Sequence, residues 1–293
     1  MKKYIVLLFL ITLTSCKIKF LEPDVISDMP NSYYLTKDYI DLSNTALTTQ
    51  VMDEYLANGN GYMLCFCGNL TDAIIRTIKN YINNCGKDIY LDLKNCTGLS
   101  TIPESIFSGV NNLVGIKLPH DTTTIGKYSF QNCTKLTNVR LPLSLNSIGD
   151  YSFKNTRSLK EIEIPDSSIA MYQETFKNSG LVQFIMSDSF ERIGIEALGS
   201  CQSLKTLVVN ASFALFRMNA LSYSSNLETI IYYGDKVNTV RFESGIFNGI
   251  PANKITLYLP NVVKGQADFS TWGGYSWKDI KYKGEFDINS LLQ

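Results

Sequence analysis

LVGIKLPHDTTTIGKYSFQNCTK (residues 113–135) and LTNVRLPLSLNSIGDYSFKNTRS (136–158) are one pattern written twice. Aligning leucines extends the pattern to units beginning at Leu113, Leu136, Leu159, Leu181, Leu204 and Leu227, at steps of 23, 23, 22, 23 and 23 residues. A fixed period of this length is the signature of a repeat array, in which each unit buries its apolar face only against its neighbours. Two columns alternate as a short strand requires. One holds Ile116, Val139, Ile162, Phe184, Leu207 and Ile230, the other Leu118, Leu141, Ile164, Met186, Val209 and Tyr232. Pro119, Pro142 and Pro165 then close the strand, because proline cannot donate to a further ladder bond.

Beyond the prolines come a column of Ile125, Ile148, Met171, Ile193 and Phe216, then one of Phe130, Phe153, Phe176, Leu198 and Leu221. This last column is expected in a turn or short helix that carries the chain back across the other side. The fold class that follows is an α/β repeat solenoid, right-handed, with a parallel sheet along one side. Stacking would bury one large apolar side chain per column and rung, at ~1.5–3 kcal/mol each.

The pattern L-x-x-I-x-L-P-x-x-L-x-x-I-G-x-x-x-F-x-x-C resembles the BspA-like leucine-rich repeat of bacterial surface proteins, familiar from spirochaetes and Bacteroidetes. The resemblance covers about residues 99–250, and from Ile185 onward the units lose the proline and glycine positions. It implies a surface setting and adhesion to host proteins, matrix or other cells, and it assigns no catalytic residue. Its implied partner is a protein on a host or neighbouring cell.

The start of the chain raises the expectation of an envelope protein. Lys2 and Lys3 precede an apolar run, Tyr4 to Thr12, too short for a membrane span of ~20 residues. Leu13-Thr14-Ser15-Cys16 resembles a bacterial lipobox, which implies cleavage before Cys16 and lipidation of its thiol. The lipid would then be the sole membrane anchor. The expected site is the cell envelope, with the outer-membrane surface favoured over a periplasm-facing position. The division that follows is a signal peptide at 1–15, a tether at 16–43, an N-terminal α/β cap at 44–98, repeats at 99–253 and a C-terminal cap at 254–293.

The N-terminal cap is expected to hold a short helix from Thr48 to Asn58, stopped at Gly59, and a strand over Tyr62–Cys67. A second, amphipathic helix over Thr71–Asn84 should follow, with Thr71 as N-cap and Gly86 as stop. Ile89, Leu91 and Leu93 then alternate as another strand and lead into a variant first repeat at Leu99, Ile102 and Phe107. At the far end, Ile255–Leu259 reads as a strand, and residues 261–286 carry Phe269, Trp272, Tyr275, Trp277, Tyr282 and Phe286. These rings are expected to cover the last rung. Trp272, Tyr275 and Trp277 are alternatively an exposed platform for sugar rings.

Composition narrows the chemistry. The chain has 293 residues, 45% hydrophobic and 18% charged, with 27 basic against 27 acidic side chains. Such a balance leaves no electrostatic footprint for nucleic acid. His120 is the single histidine, which excludes sites needing two imidazoles, and no Ser- or Cys-plus-acid partners share its repeat column. Glu161 and Glu163 could be imagined as a glycosidase pair, but Asn138 and Arg140 hold those columns one repeat earlier. No catalytic residue, metal site or cofactor is implied.

After Cys16 the cysteines are Cys65, Cys67, Cys85, Cys96, Cys133 and Cys201. Cys133 and Cys201 fall in a column with Val110, Thr156 and Ser224, which asks for a small buried residue and not a bridge. Cys85 could approach Cys65 or Cys67; free buried thiols are the simpler expectation. The outward strand position reads Lys117, Arg140, Glu163, Ile185, Val208, Ile231. These six are the candidate binding face. The aliphatic half is expected either to meet a partner or to lie under the C-terminal segment. Non-catalytic binding is the function this supports; a structural role within the envelope and glycan binding through the C-terminal aromatics are the alternatives.

Overall fold

The computed structural model describes residues 39–291, apart from Asn44, Gly61, Ser168, Ile169 and Glu191. The expected leader, the expected lipidation site Cys16 and nearly all of the expected tether lie outside the described residues.

Among the described residues two α-helices precede the repeats. Helix α1 (Thr49–Tyr55) is capped by Thr48, whose hydroxyl accepts from Val51 N–H at 3.2 Å. It continues as a π-helical turn over Leu56–Asn60, so the expected helix ends earlier as an α-helix than Asn58. Helix α2 (Asp72–Asn84) has Thr71 as its cap, accepting from Ile74 N–H at 3.3 Å, and the chain leaves it through Gly86 at φ 68°. Ile75, Ile78, Tyr81 and Ile82 form its buried face. The Tyr81 hydroxyl donates to Asp53 Oδ1 at 2.6 Å, which ties α2 to α1.

The described residues build two five-stranded parallel sheets whose strand order follows the sequence. The first holds β1 (Ile40–Asp41), β2 (Met63–Asn69), β3 (Ile89–Thr97), β4 (Leu113–Lys117) and β5 (Asn138–Arg140). The second holds β6 (Gln183–Ile185), β7 (Thr206–Val209), β8 (Thr229–Tyr232), β9 (Thr256–Leu259) and β10 (Asp279–Tyr282). Between them the rung Glu161–Pro165 is not a strand. Ile162 and Ile164 still face the core, so its side chains keep the repeat register while its main-chain ladder is open.

This rung belongs to the repeat that is one residue short. The residue is lost in the turn before Leu181, where Ser179-Gly180 stands in place of Thr156-Arg157-Ser158. A Cβ on Gly180 would lie 2.1 Å from the Arg157 carbonyl oxygen, so only glycine lets the shortened turn pass.

On the side opposite the sheets the return path is a turn, not a helix. Two-residue parallel strands run at Thr101–Ile102, Thr124–Ile125, Ser147–Ile148 and Ala170–Met171, and again at Arg192–Ile193, Leu215–Phe216 and Arg241–Phe242. Each is followed by a segment in which residues take left-handed φ at intervals. Tyr128 and Asn132 do so at 57° and 61°, Tyr151 and Asn155 at 59° and 64°. These changes of backbone handedness aim every second N–H along the solenoid axis. Tyr128, Phe130 and Asn132 therefore donate to the carbonyls of Asp150, Ser152 and Lys154 one rung on, at 3.0, 2.8 and 2.9 Å. The turns thus carry an axial ladder of their own, which satisfies backbone groups that a buried turn would otherwise strand.

The core is continuous from α2 through the last rung. Its spine is the aromatic column, in which Phe107, Phe130, Phe153 and Phe176 stack at centroid spacings of 5.5, 5.1 and 5.1 Å. Beside it lies the small-residue column. Cys133 Sγ donates to the Phe107 carbonyl at 3.0 Å, Cys201 Sγ to Phe176 at 3.1 Å and Ser224 Oγ to Leu198 at 2.7 Å. A thiol or hydroxyl fits there because each of these rungs offers one inward carbonyl that needs a donor.

Candidate functional site

Five of the six candidate binding residues stand in one column on the outer face of the sheets, and Glu163, on the rung without a strand, meets that column through Arg140. Register pairs Asp92 with Lys117, Lys117 with Arg140, Ile185 with Val208, Val208 with Ile231 and Ile231 with Tyr258. Cys65 extends the column at one end and Lys281 at the other. Sequence reasoning missed Asp92 and Tyr258, because the spacing leaves the 23-residue period at both ends; the strand alternation around Leu91 and Leu257 was the available signal.

At the N-terminal end this face is closed. Asp92 is 3% exposed, and its carboxylate takes Lys117 Nζ at 3.0 Å and Lys94 N–H at 3.1 Å. Tyr39 lies against the same group: burial and then the Asp92 charge raise its hydroxyl pKa, while a hydrogen bond to Asn95 works the other way. Tyr90 is buried on this face too. Its ring occupies the space a Cβ on Gly115 would need, 2.2 Å from Cε2, and its hydroxyl reaches Asn138 Oδ1 at 3.3 Å.

The C-terminal end is closed as well, at two of the six expected binding residues. Val208 is 3% exposed and Ile231 fully buried, although neither belongs to the continuous core. Next in the column, Tyr258 meets Phe286 edge-on at 4.9 Å. Phe286 follows β10, so the chain beyond the last strand returns over this face. Val208 and Ile231 are thus not free to meet a partner in this state, and Ile185 is only half-buried.

What stays open is a window around the unladdered rung. Arg140 pairs with Glu163 at 3.4 Å, both solvated, and Glu161 is exposed beside them. Asn138, Gln183 and Ile185 complete the window, each half-buried. A solvated pair of this kind contributes little stability, roughly 0–1 kcal/mol, and is available for exchange with a partner's charges.

Of the three rings in the alternative of an exposed aromatic platform, two are buried. Trp272 and Tyr275 are 2% and 7% exposed, and Trp277 is half-buried. Trp272 stacks on Tyr232 at 4.8 Å and meets Phe242 edge-on at 5.0 Å; Tyr275 and Trp277 pack on Phe247 at 4.7 and 5.8 Å. The Tyr275 hydroxyl donates to the Pro251 carbonyl. Trp272 and Tyr275 thus cover the repeat that holds Tyr232, Phe242 and Phe247.

The other sequence candidates stay dispersed. His120 is exposed on its loop, and its carbonyl accepts from Ser144 Oγ at 2.7 Å. Cys65, Cys67 and Cys85 are free thiols, as are Cys96, Cys133 and Cys201. Burial pushes Cys96 and Cys133 up to about 12 and Cys65 to about 11, which makes them poor nucleophiles. Among the described residues no group of three His, Cys, Asp or Glu side chains could hold a metal ion, and no helix is long and apolar enough to cross a membrane.

The pattern of the BspA type leucine rich repeat region matches residues 100–228 in six copies. No curated protein matches the chain. Among solved structures, the chain is similar to a leucine rich repeat protein of T. pallidum at 27% identity and a TM-score of 0.47, covering 57% of this chain and 79% of that one. It is also similar to a leucine-rich repeat protein from Bacteroides ovatus (19% identity, TM-score 0.42, 62% and 64% covered). A leucine rich cell surface protein from Faecalibacterium prausnitzii is a third (14%, 0.35, 78% and 86%).

Proposed function

We propose that this chain, whose residues 100–228 match the BspA type leucine rich repeat region, is a lipid-anchored surface protein that binds a protein partner without catalysis. Leucine-rich repeat proteins present an extended rigid surface for protein–protein contact, and stacking fixes that surface over many rungs. The observation that carries the reading is the open window on the outer sheet face, where Arg140, Glu161, Glu163, Gln183 and Ile185 lie side by side while both flanks are covered. Along one column Arg140 and Glu163 lead to Ile185, and beside it Asn138 and Glu161 lead to Gln183, a charged, polar and apolar mixture suited to a protein epitope. The expected partner is a protein on a host or neighbouring cell, and Cys16 supplies the expected anchor.

Protease shaving of intact cells tests the surface setting. Loss of the protein while a periplasmic control survives supports it. Protection until the outer membrane is opened would sink adhesion and turn the search to envelope partners. With a partner in hand, exchanging Arg140→Glu and Glu163→Arg singly should each weaken binding, and the double exchange should recover part of the loss.

A further inference from the structure

The geometry points to Gly284–Leu291 as a removable strap that covers the apolar strip of Ile231 and Val208 and so halves the face open to a partner. Phe286 supplies the anchor, edge-on against Tyr258 at 4.9 Å in the same column as Ile231. Phe286 is half-buried, and the 3-10 turn Ile288–Leu291 that follows keeps Ile288 and Leu291 half-buried on one side while Asp287, Asn289 and Ser290 are exposed. The strip beneath is buried yet separate from the continuous core, so something other than the solenoid interior covers it.

The fastening is slight. Glu285 N–H returns to the Tyr282 carbonyl at 3.0 Å, and Tyr282 N–H meets Glu285 Oε2 at 3.0 Å. Past that turn the hydrogen bonds are internal: Asn289 N–H to Asp287 Oδ1 and Ser290 Oγ to the Asp287 carbonyl. Lys264 approaches Glu285 at 3.6 Å across solvent. Among the described residues no ladder bond joins 286–291 to a strand. Segments held this way open at far less than the cost of global unfolding. Lifting this one leaves Ile185, Val208, Ile231 and Tyr258 as one apolar side chain per rung, ~4.8 Å apart, continuous with the window. The class of ligand that fits such a row is an apolar protein segment laid along the solenoid axis, in the place the strap holds.

This inference extends the binding reading above, but its test needs no partner. Val208→Cys is introduced into the full chain, into a chain stopped after Lys283 and into full-length Phe286→Ala. Each is treated with a maleimide and mapped by peptide mass spectrometry, with Leu207→Cys as the core-facing control. Labelling at position 208 should run at least ~10-fold faster in both altered chains, with position 207 still protected. Equal rates at 208 in all three chains would overturn the strap. So would parallel labelling at 207 and 208, since that reports unfolding and not a lifted cover. A lifted strap with no surface exposure of the protein would leave this inference standing and remove the adhesion reading.

Discussion

Asn155 donates its side-chain amide to Asn132 Oδ1, 2.7 Å away and one rung back in the solenoid, and both residues hold left-handed backbone at φ 64° and 61°. Asn178 repeats the contact onto Asn155 at 2.8 Å. The side-chain ladder therefore offsets a backbone conformation that costs non-glycine residues ~1–2 kcal/mol. Asparagine suits the position on both counts, since its short amide tolerates this region and reaches its neighbour.

Replacing Asn155 separates the two terms. Asn155→Gly loses the ladder but not the backbone, and should cost about 1 kcal/mol in a denaturant melt. Asn155→Ala loses the ladder and adds the steric penalty, for about 2–3 kcal/mol. Equal losses would mean that the left-handed backbone contributes nothing.

Gly180 marks where the period slips, and its cost is steric. With an added Cβ 2.1 Å from the Arg157 carbonyl oxygen, Gly180→Ala must move backbone and should destabilise by about 2–3 kcal/mol. Gly86 makes the contrast: it has φ 68° and nothing within 4 Å of an added Cβ, so Gly86→Ala should cost only about 1 kcal/mol. Matched melting curves for the two variants would contradict the close approach at Gly180.

Much of this architecture was legible because stacking repeats each constraint at every rung. Ile116 and Leu118 announced an inward face, and Phe130, Phe153 and Phe176 announced a spine, since a column that recurs cannot be accidental. Thr71 and Gly86 marked the bounds of α2 by local backbone chemistry. The open rung at Glu161–Pro165 was not legible, because its residues keep the pattern and only its ladder is absent. Nor was the burial of Val208 and Ile231, which lie on the outer face and are set by contacts outside their own repeats. Trp272 and Tyr275 are covering rings and not a platform, a choice that composition leaves open because it cannot say which face of a ring is free.

Acid should loosen the turn side before the core. Glu174 is nearly buried between Lys154 Nζ at 2.6 Å and Lys177 Nζ at 3.3 Å, and Lys177 also engages Glu196. Burial alone would raise the Glu174 carboxyl, but the two lysines outweigh it and hold the group below its ordinary value. A carboxyl depressed in the folded chain binds more protons once unfolded, so it contributes stability above its ordinary value, near ~4.3. That contribution falls away as pH drops through the folded value. Glu174→Gln should cost about 1 kcal/mol at pH 7 and flatten the fall in melting temperature below the ordinary carboxylate range. An unchanged slope in the variant would assign the acid sensitivity elsewhere.

Two lysine substitutions on one column separate cover from contact. Val208 is 3% exposed beneath the outer face, so Val208→Lys puts a charge where neither water nor a counter-ion waits, and stability should drop by about 3 kcal/mol or more. Ile185 is its register partner one rung back and remains half-solvated, so Ile185→Lys should shift stability by no more than about 0.5–1 kcal/mol. Both side chains are aliphatic and share strand position and face, and they differ in cover and in that Ile185 stands on the edge strand beside the open rung. If Val208→Lys melts like Ile185→Lys, the strip is open in solution and the full column of six is available to a partner. A large gap that narrows when the chain is stopped after Lys283 would instead identify the returning segment as the cover.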